Sequence, residues 1–380
     1  MKYSVLGKIM AVVGCAFCLT LSNSGFAAEQ PANEDTQVKK KVILDTDMVE
    51  MFDDGIAMMM LMKNPEIDLL GIVTVTGNTW ANDGMAYLVR QLKELKNLDT
   101  TATLAIGAQY PNRKAGGFSK DILKHELNTY GDVMAGYIGA ATTENPKSWQ
   151  EAYRNHYNED APDVKVRTDG VDYLIEMVHK YPHQITIAAI GPATNIALAV
   201  QKDPEFADLV DEIVYMGGAF WVKGNADEAA EFNIWLDPES AKIAYRAPFD
   251  NSTFVALDVT DNTIMNRERY QKIRDSIKNQ DLLKLFDKAF FVQQFQKNEK
   301  QNFSWFVWDI IVSAIIIDPS LVTSTRYAYI DCVTEKGPQY GKTVPYIKDN
   351  APAGTKPASI ILSVDQERFW PMLYNLLSKL

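Results

Sequence analysis

The feature that most constrains the fold is an alternation of apolar runs and helical segments that begins at Val42. The apolar runs predict strands over residues 42–44, 69–75, 103–106, 185–190, 213–216 and 253–257. Apolar residues at helical spacing predict helices between them, over residues 55–62, 84–96, 171–180, 193–200 and 238–245. Strands that are apolar along their whole length, each followed by a helix, are typical of a parallel sheet covered on both faces. We therefore predict one α/β domain over residues 42–380, built on a doubly wound, mostly parallel sheet.

Two stretches interrupt this alternation. Residues 108–168 combine Gly, Pro, Asn, Tyr and Trp with weak periodicity, which predicts an insertion over one end of the sheet. Residues 265–317 are mostly of helical period, and strands near 326–330 and 359–363 precede a helix that starts at Asp365. Ligands of open α/β sheets bind at the carboxyl ends of the strands, so functional residues are expected directly after the predicted strands.

The first 28 residues have the three-part layout of a secretory signal peptide. Two lysines precede an apolar run over residues 9–21, and small residues follow at 26–28. The run is short for a membrane span, so we expect a periplasmic or secreted protein with no membrane attachment after cleavage. A lipoprotein site at Cys15 is the alternative, which the continuation of the apolar run past Cys15 disfavours. Residues 29–41 predict a flexible leader before the domain.

The cysteine count and the charge narrow the function classes. Cleavage leaves Cys332 as the one remaining cysteine, so no intrachain disulfide can form and the fold depends on its core. The chain has 38 Lys and Arg against 49 Asp and Glu, a net charge of −11, and no basic patch stands out. A nucleic acid is therefore not expected as the main partner.

Four carboxylates lie within ten residues after the first predicted strand: Asp45, Asp47, Asp53 and Asp54. Such a cluster is tolerated if a cation neutralises it, or if backbone N–H groups at a helix N-terminus do. With no Cys or His nearby, a cation held there would be Ca²⁺ or Mg²⁺ rather than Zn²⁺. The alternative without a ligand makes Asp53 an N-cap and leaves the other acids solvated.

Polar side chains follow the later strands as well. Asn78 follows the second strand, Asn195 the fourth, and Asn225, Glu231 and Asn233 the fifth. Together they supply donors and acceptors that suit a neutral polyol such as a sugar. Asparagine is also common in turns, so each position alone is weak evidence. Their shared edge with the acidic cluster is what predicts a sugar site.

Together these residues resemble the inosine–uridine-preferring nucleoside hydrolase family. The motifs that carry the resemblance are D-T-D…D-D-G-I-A, V-T-V-T-G-N, G-P-A-T-N-I-A-L-A, M-G-G, N-x5-E-F-N-I-W-L-D-P-E and W-D-I-I-V-S-A. The similarity runs from Asp45 to the final helix. It implies a nucleoside hydrolase-like, Rossmann-like fold and a Ca²⁺-dependent enzyme that hydrolyses the N-glycosidic bond of ribonucleosides. A small-molecule ribonucleoside is then the expected partner, and a monomer and a homo-oligomer (dimer or tetramer) both remain open.

The resemblance also implies roles for individual residues. Asp47 would be a Ca²⁺ ligand and the base on the attacking water, with Asp54, Asp309 and the carbonyl of Ile190 as further ligands. Asp45 would support the metal loop from behind. The residues implied to hold the ribose are Asp53, Asn78, Asn225, Glu231 and Asn233, with Met216 against the sugar.

Two departures from the family pattern affect the leaving group and the metal loop. The loop over residues 48–52 is two residues longer than the family's P-G-x-D-D and lacks its Pro and Gly. Where many relatives carry a histidine that protonates the base, this chain has Trp308, whose indole can stack on a base but cannot protonate it. His125 and His156, both in the insertion, are candidate acids, whereas structural or surface roles are expected for His179 and His183.

Two other functions remain open from the sequence. Residues 45–49 also fit the D-x-D-x-[TV] pattern of haloacid-dehalogenase-like Mg²⁺-dependent phosphohydrolases, in which Asp45 would be the nucleophile. The later strand-end Ser or Thr, Lys and acidic pair of that family are not found in order. A non-catalytic, Ca²⁺-dependent ribose-binding or nucleoside-binding protein is the other alternative. The preferred base, the proton donor and the role of the insertion stay undetermined.

Overall fold

The computed structural model describes residues 38–113, 117–130, 137–298 and 303–380. The signal peptide predicted over residues 1–28 and most of the predicted leader lie outside the described residues. The leader prediction is wrong at its end, because Lys40 and Lys41 already belong to the first strand. The strand begins there through backbone pairing, for example from the N–H of Lys40 to Glu66 O at 2.8 Å. Backbone pairing leaves no apolar pattern, so the charged side chains of Lys40 and Lys41 hid the start of the strand in the sequence. No helix within the described ranges has the length and apolar character needed to cross a membrane.

The regular elements are the following. The strands are β1 (Lys40–Thr46), β2 (Ile67–Thr74), β3 (Thr103–Ile106), β4 (Val166–Arg167), β5 (Ile185–Ala189), β6 (Glu212–Met216), β7 (Ser252–Val255), β8 (Ile264–Met265), β9 (Trp305–Phe306), β10 (Val322–Cys332), β11 (Thr343–Tyr346) and β12 (Lys356–Val364). The helices are α1 (Asp53–Lys63), α2 (Ala81–Glu94), α3 (Lys120–Tyr130), α4 (Trp149–Tyr157), α5 (Gly170–Lys180), α6 (Thr194–Lys202), α7 (Phe206–Leu209), α8 (Phe232–Leu236), α9 (Pro238–Arg246), α10 (Leu257–Thr260), α11 (Arg267–Ser276), α12 (Gln280–Lys288), α13 (Phe290–Lys297), α14 (Asp309–Ile317) and α15 (Gln366–Leu377). Short 3₁₀ helices cover Gly139–Thr142, Pro319–Leu321 and Lys348–Asn350.

A ten-stranded sheet organises the domain, in the order β11-β10-β12-β7-β6-β5-β1-β2-β3-β4. The pairings from β12 through β7 to β4 are parallel, and β10 runs antiparallel to both β12 and β11. The predicted doubly wound, mostly parallel α/β fold is thus confirmed. The strands predicted to end at residues 75 and 190 stop one residue earlier. The strand predicted to end at residue 257 stops at Val255, and Leu257 begins α10 with its N–H bonded to Gly218 O at 2.9 Å.

Helices cover both faces of the sheet, as the composition of β1 requires. Val42 and Leu44 pack into one apolar cluster and Ile43 into another, because successive strand side chains point to opposite faces. The first cluster includes residues of α1, α2, α14 and α15, and the second includes residues of α5, α6 and α9. The central strands are therefore buried on both sides, and their carboxyl ends are where polar side chains can gather.

The order of the strands decides which loops meet. β1 lies between β5 and β2, and β6 follows β5, so the segments after these four strands are neighbours at one edge. Asp47 follows β1, Asn78 follows β2, Ile190 follows β5 and Gly217 follows β6. Helix α14, which begins at Asp309, packs against α1, which begins at Asp53. Sequence positions more than two hundred residues apart are thereby brought to the same place.

Candidate active site

A cavity of about 500 Å³, counted with its part open to solvent, lies at the edge where these loops meet. Its walls contain nearly all the residues that the sequence predicted for the site, although they come from widely separated segments. These are Asp53, Asp54, Asn78, Ile190, Met216, Asn225, Glu231, Asn233, Trp308 and Asp309. The cavity is also lined by residues that the sequence did not predict, namely Val49, Phe52, Tyr137, Phe232 and Phe291.

Asp47 is fully buried beside this cavity. The backbone N–H of Asn78 donates to Asp47 Oδ2 at 2.7 Å, whereas Oδ1 has no hydrogen-bond partner among the described residues. Gly77 and Gly191 leave room for the carboxylate, since an added Cβ would lie 2.2 Å from Oδ2 and 3.0 Å from Oδ1, respectively. Burial and the charge of Asp54 raise the pKa of Asp47 well above its ordinary value. One oxygen of Asp47 is thus fixed, and the other is available to a cation or a proton donor.

Asp54 and Asp309 complete a group of buried carboxyl groups. Thr46 Oγ1 donates to Asp54 Oδ1 at 2.6 Å, and burial raises the pKa of Asp54 to about 6. Burial and the charges of Asp53, Asp54 and Asp47 raise the pKa of Asp309 well above its ordinary value. Like charges this close in a buried site favour protonation unless a cation neutralises them.

The donor atoms at this place fit a hard cation. The side chains of Asp47, Asp54 and Asp309 and the carbonyl of Ile190 supply oxygen, and the described lining residues include no cysteine or histidine. Oxygen donors alone are what Ca²⁺ takes in proteins. Asp47 Oδ1 and Asp45 Oδ2 are buried carboxylate oxygens with no hydrogen-bond partner among the described residues, and Asp47 Oδ1 is the one at the proposed cation site.

A second group of metal-ligand side chains lies at the opposite edge of the sheet, where α5 and α6 end. His179, Asp203 and Glu205 have ligand atoms that all lie within 4.8 Å of one another. Among the described residues this is the group of three that meets that distance, so the ligand atoms of Asp47, Asp54 and Asp309 do not all lie within 4.8 Å of one another. His179 Nε2 lies 2.6 Å from Asp203 Oδ2, and His179 is exposed. This pairing agrees with the surface role expected for His179.

Asp53 has a structural role that was not predicted from the sequence: it caps a distant helix, α14. Its carboxylate accepts the backbone N–H groups of Trp308, Asp309 and Ile310, at 2.9, 3.1 and 3.2 Å. It therefore caps α14, whereas the N-cap of its own helix is Phe52, so the interpretation of Asp53 as an ordinary N-cap of α1 is wrong. The cap fixes the start of α14, and with it Asp309, against α1. Burial raises the pKa of Asp53 to about 7.

Glu231 and Asn233 are held in a similar way on the other side of the cavity. The Glu231 carboxylate accepts the backbone N–H groups of Asn233, Ile234 and Gly218, at 3.0, 3.3 and 3.2 Å, and so caps α8. Asn233 Nδ2 donates to the carbonyl of Ile190 at 3.1 Å. Burial raises the pKa of Glu231 to about 7. Both side chains are therefore oriented before any substrate binds, with remaining lone pairs at the cavity wall.

Asp45 lies behind the cavity rather than in its wall. It is fully buried, and Asn195 Nδ2 donates to its Oδ1 at 2.5 Å. Asn195 Oδ1 in turn accepts the N–H of Ala108, where the insertion begins. Burial raises the pKa of Asp45 to about 7. This position suits a support for the metal loop and does not suit the exposed nucleophile that a phosphohydrolase would need.

Three aromatic residues, Phe52, Phe291 and Trp308, form one side of the cavity, which we call the aromatic wall. The ring centroids of Phe52 and Phe291 are 5.5 Å apart, and those of Phe291 and Trp308 are 5.9 Å apart. Trp308 Nε1 has no hydrogen-bond partner among the described residues. Phe52 belongs to the lengthened loop, and Phe291 to the helical segment after residue 265. The unusual loop length was the one sequence signal that could have pointed to Phe52.

The histidines considered as acids lie away from the cavity. His156 Nε2 is 2.7 Å from Asp83 Oδ1, and its ring stacks on Tyr87 with centroids 4.6 Å apart. His125 is exposed on α3. No histidine is found among the described residues that line the cavity. The insertion instead contributes Tyr137, whose hydroxyl donates to Asn78 Oδ1 at 3.0 Å.

Comparison with known proteins agrees with this arrangement. Residues 42–371 match the family model described as inosine-uridine preferring nucleoside hydrolase. The chain is 31% identical to a probable uridine nucleosidase 2 of Arabidopsis thaliana, over 63% of this chain and 65% of that protein. It is 27% identical to an inosine-uridine preferring nucleoside hydrolase of Crithidia fasciculata, over 90% of this chain and 98% of that protein. A solved plant nucleoside hydrolase superposes with a TM-score of 0.69 at 25% identity, covering 89% and 99% of the two chains.

Proposed function

We propose a mechanism from the premise that this chain belongs to the inosine-uridine preferring nucleoside hydrolase family. The protein is therefore a hydrolase that acts on the N-glycosyl bond of ribonucleosides. The family is metal-dependent in general, and we propose that the metal here is Ca²⁺. The observation that supports this most directly is the unpaired, buried Oδ1 of Asp47 beside Asp54 and Asp309. An oxygen-only donor set with several negative charges favours Ca²⁺ over Zn²⁺.

In this proposal Asp47, Asp54, Asp309 and the carbonyl of Ile190 hold the ion. Bound there, Ca²⁺ would lower the pKa of a water molecule and neutralise the carboxylates. Asp47 removes the proton of the attacking water, and its second oxygen, fixed by the N–H of Asn78, keeps the carboxylate oriented. Asp45 stabilises the loop from behind through Asn195.

The ribose would be held by the polar side chains of the wall. Asn78, Asn225, Glu231 and Asn233 bind its hydroxyl groups, Met216 packs against the ring, and Asp53 acts mainly by fixing α14. Cleavage of the bond between C1′ and the base nitrogen leaves a ribosyl group with oxocarbenium character. The surrounding carboxylates favour that positive charge, and this electrostatic stabilisation is what accelerates the reaction.

The leaving base would lie against the aromatic wall. Trp308 offers a stacking surface and an indole N–H that has no partner within the described residues. With no histidine among the described lining residues, the wall stabilises the base by stacking and by hydrogen bonding rather than by direct protonation. The base then leaves with the electron pair of the broken bond and takes its proton from solvent, to which Asp47 returns the proton of the attacking water. We further propose that the protein is exported and acts on external ribonucleosides, releasing base and ribose for salvage.

Ultraviolet detection of base release tests the proposal. The purified mature protein would be incubated with a set of purine and pyrimidine ribonucleosides and, separately, with an aryl phosphate. We expect base release that Asp47→Asn reduces by about 10²–10⁴-fold, the contribution of a positioned general base. Asp160→Asn, at a side chain that is 89% exposed, is the control and should leave activity unchanged. Phosphate release, or ribose binding without turnover, would contradict the proposal.

A further inference from the structure

Tyr137 connects the insertion, through Asn78, to Asp47, the proposed general base. The Tyr137 hydroxyl donates to Asn78 Oδ1 at 3.0 Å, and the backbone N–H of Asn78 donates to Asp47 Oδ2 at 2.7 Å. Both Tyr137 and Asn78 line the cavity. The Tyr137 ring also packs on Phe232, with centroids 5.2 Å apart, so its position does not depend on the hydroxyl alone.

This hydrogen bond decides which end of the Asn78 amide is available to a ligand. An asparagine side chain has one acceptor atom and one donor atom, and Tyr137 holds the acceptor atom of Asn78 on its own side of the amide. The NH₂ group is then the end left for the cavity, and no acceptor for it occurs among the described residues. A ligand oxygen that faces this NH₂ group therefore accepts a hydrogen bond from it. A sugar hydroxyl can do so while donating its own proton to a neighbouring carboxylate.

Several hydrogen bonds hold the insertion against the loop that contains Asn78, so the placement of Tyr137 is fixed by more than one contact. The N–H of Ala140 donates to Gly77 O at 2.9 Å, and Trp80 Nε1 donates to Thr143 O at 3.0 Å. Gly139 has a φ of +56°, and a Cβ there would lie 2.4 Å from Gly77 O. This close backbone approach requires glycine and holds residues 137–143 against the loop.

We propose that Tyr137 is a positioning residue that makes Asn78 a hydrogen-bond donor to one ribose hydroxyl, and so sets the preference for ribonucleosides over the deoxynucleoside that lacks this hydroxyl. This inference rests on the proposed function. Loss of the Tyr137 hydroxyl frees the side-chain amide of Asn78 to rotate. The ribose hydroxyl then loses a preoriented hydrogen-bond donor in the ground state and in the transition state. A substrate without that hydroxyl has nothing to lose.

The test compares Tyr137→Phe with the wild-type protein on three nucleosides that share one base: the ribonucleoside, its 2′-deoxy form and its 3′-deoxy form. We expect kcat/KM for the ribonucleoside to fall about 5-fold, since a hydrogen bond contributes about 1 kcal/mol and 1.4 kcal/mol is tenfold. One of the two deoxynucleosides should keep its kcat/KM, so the discrimination ratio falls. Tyr153→Phe is the matched control, because its hydroxyl donates to Glu159 at 2.9 Å in the same insertion but outside the cavity.

A second variant makes the result independent of how well Tyr137→Phe folds. Asn78→Ala should give the same selective loss, and adding Tyr137→Phe to it should change little, because the two residues act through one contact. An equal fall for all three nucleosides, an unchanged ratio, or full additivity of the two variants would overturn the role of Tyr137 while leaving the proposed function intact. A wild-type protein that releases no base from any nucleoside would instead overturn the proposed function, and this inference with it.

Discussion

Arg113 provides a quantitative test of how the insertion is attached to the domain. Its guanidinium is fully buried, donates to Trp235 O at 2.6 Å and pairs with the carboxylate of Glu126 on α3. The same group lies over the rings of Trp235 and Tyr340, 5.2 and 4.8 Å from their centroids. One cation thus joins the start of the insertion to α3 and to α8, the helix that contains Asn233.

Arg113→Met should destabilise the protein by about 3–5 kcal/mol, because removing one partner of a buried ion pair leaves the other charge uncompensated. The matched control is Arg154→Met, in the same insertion. Arg154 pairs with Asp160 at 3.2 Å, and the two side chains are 60% and 89% exposed. Loss of such a surface pair costs at most about 1 kcal/mol. Urea denaturation followed by circular dichroism measures both free energies of unfolding.

The cost of Arg113→Met should also depend on pH, with a sign that the structure fixes. Burial raises the pKa of Glu126 above its ordinary value of 4.5, and the charge of Arg113 opposes this rise. Without Arg113 the pKa of Glu126 rises further, so the folded state binds a proton more tightly than the unfolded state. Stability of the variant then falls as pH rises from 4.5 through the raised pKa. The loss should be larger at about pH 8 than at about pH 5.

The double variant Arg113→Met with Glu126→Gln distinguishes a charge effect from a packing effect. Glutamine removes the uncompensated charge, so it should restore part of the lost stability at about pH 8 and abolish the pH dependence. A loss below about 1 kcal/mol for Arg113→Met, or a double variant no better than the single one, would refute the reasoning. The ion pair would then be a marginal contact, and the packing of α3 and α8 would hold the insertion.

Further predictions concern the cavity. Thr46→Val removes the 2.6 Å bond to Asp54 and should weaken Ca²⁺ binding about 10-fold by calorimetry, as loss of such a supporting contact typically does. Burial raises the pKa of Asp54 to about 6, so the folded protein binds a proton there more tightly than the unfolded protein does. After Ca²⁺ is removed with a chelator, the protein should therefore lose stability as pH rises through about 6. Added Ca²⁺ should therefore raise the melting temperature more at about pH 8 than at about pH 5, and an equal rise would contradict this. Trp308→Phe should keep kcat/KM within about 3-fold and Trp308→Ala should lower it about 5-fold, since stacking contributes about 1 kcal/mol. Gly77→Ala would bring a Cβ to 2.2 Å from Asp47 Oδ2 and should lower kcat about 100-fold in a steady-state assay, as small misplacements of catalytic groups do.

The central strands and the convergence of the site could be predicted from the sequence for one reason. Uniformly apolar runs specify buried parallel strands, and the carboxyl ends of such strands meet at one edge. Asn78, Ile190 and Met216 could thus be placed together with no knowledge of their contacts. The resemblance added Asp309, which no local pattern connects to Asp54.

Contacts between distant segments were beyond prediction. Asp53 caps α14 through residues that are separated from it by 255 to 257 positions in the sequence. Local rules would instead favour a cap by Asp53 on its own helix. Phe291 reaches the aromatic wall from a helix whose periodicity says only that one face is buried. The pairing of Tyr137 with Asn78 lies in a segment with weak periodicity, where neither a strand nor a helix fixes side-chain direction.

The cap on α14 has a consequence for the timing of assembly. Asp53 is synthesised early, and the three N–H groups that it accepts come from residues near the end of the chain. A nascent polypeptide that has been synthesised only as far as Val307 contains Asp47 and Asp54 but neither Asp309 nor the helix that Asp53 anchors. Synthesis of α14 therefore comes before the ion pocket can form, and a translation product that stops short of Asp309 should bind ribose no better than an unrelated acidic peptide.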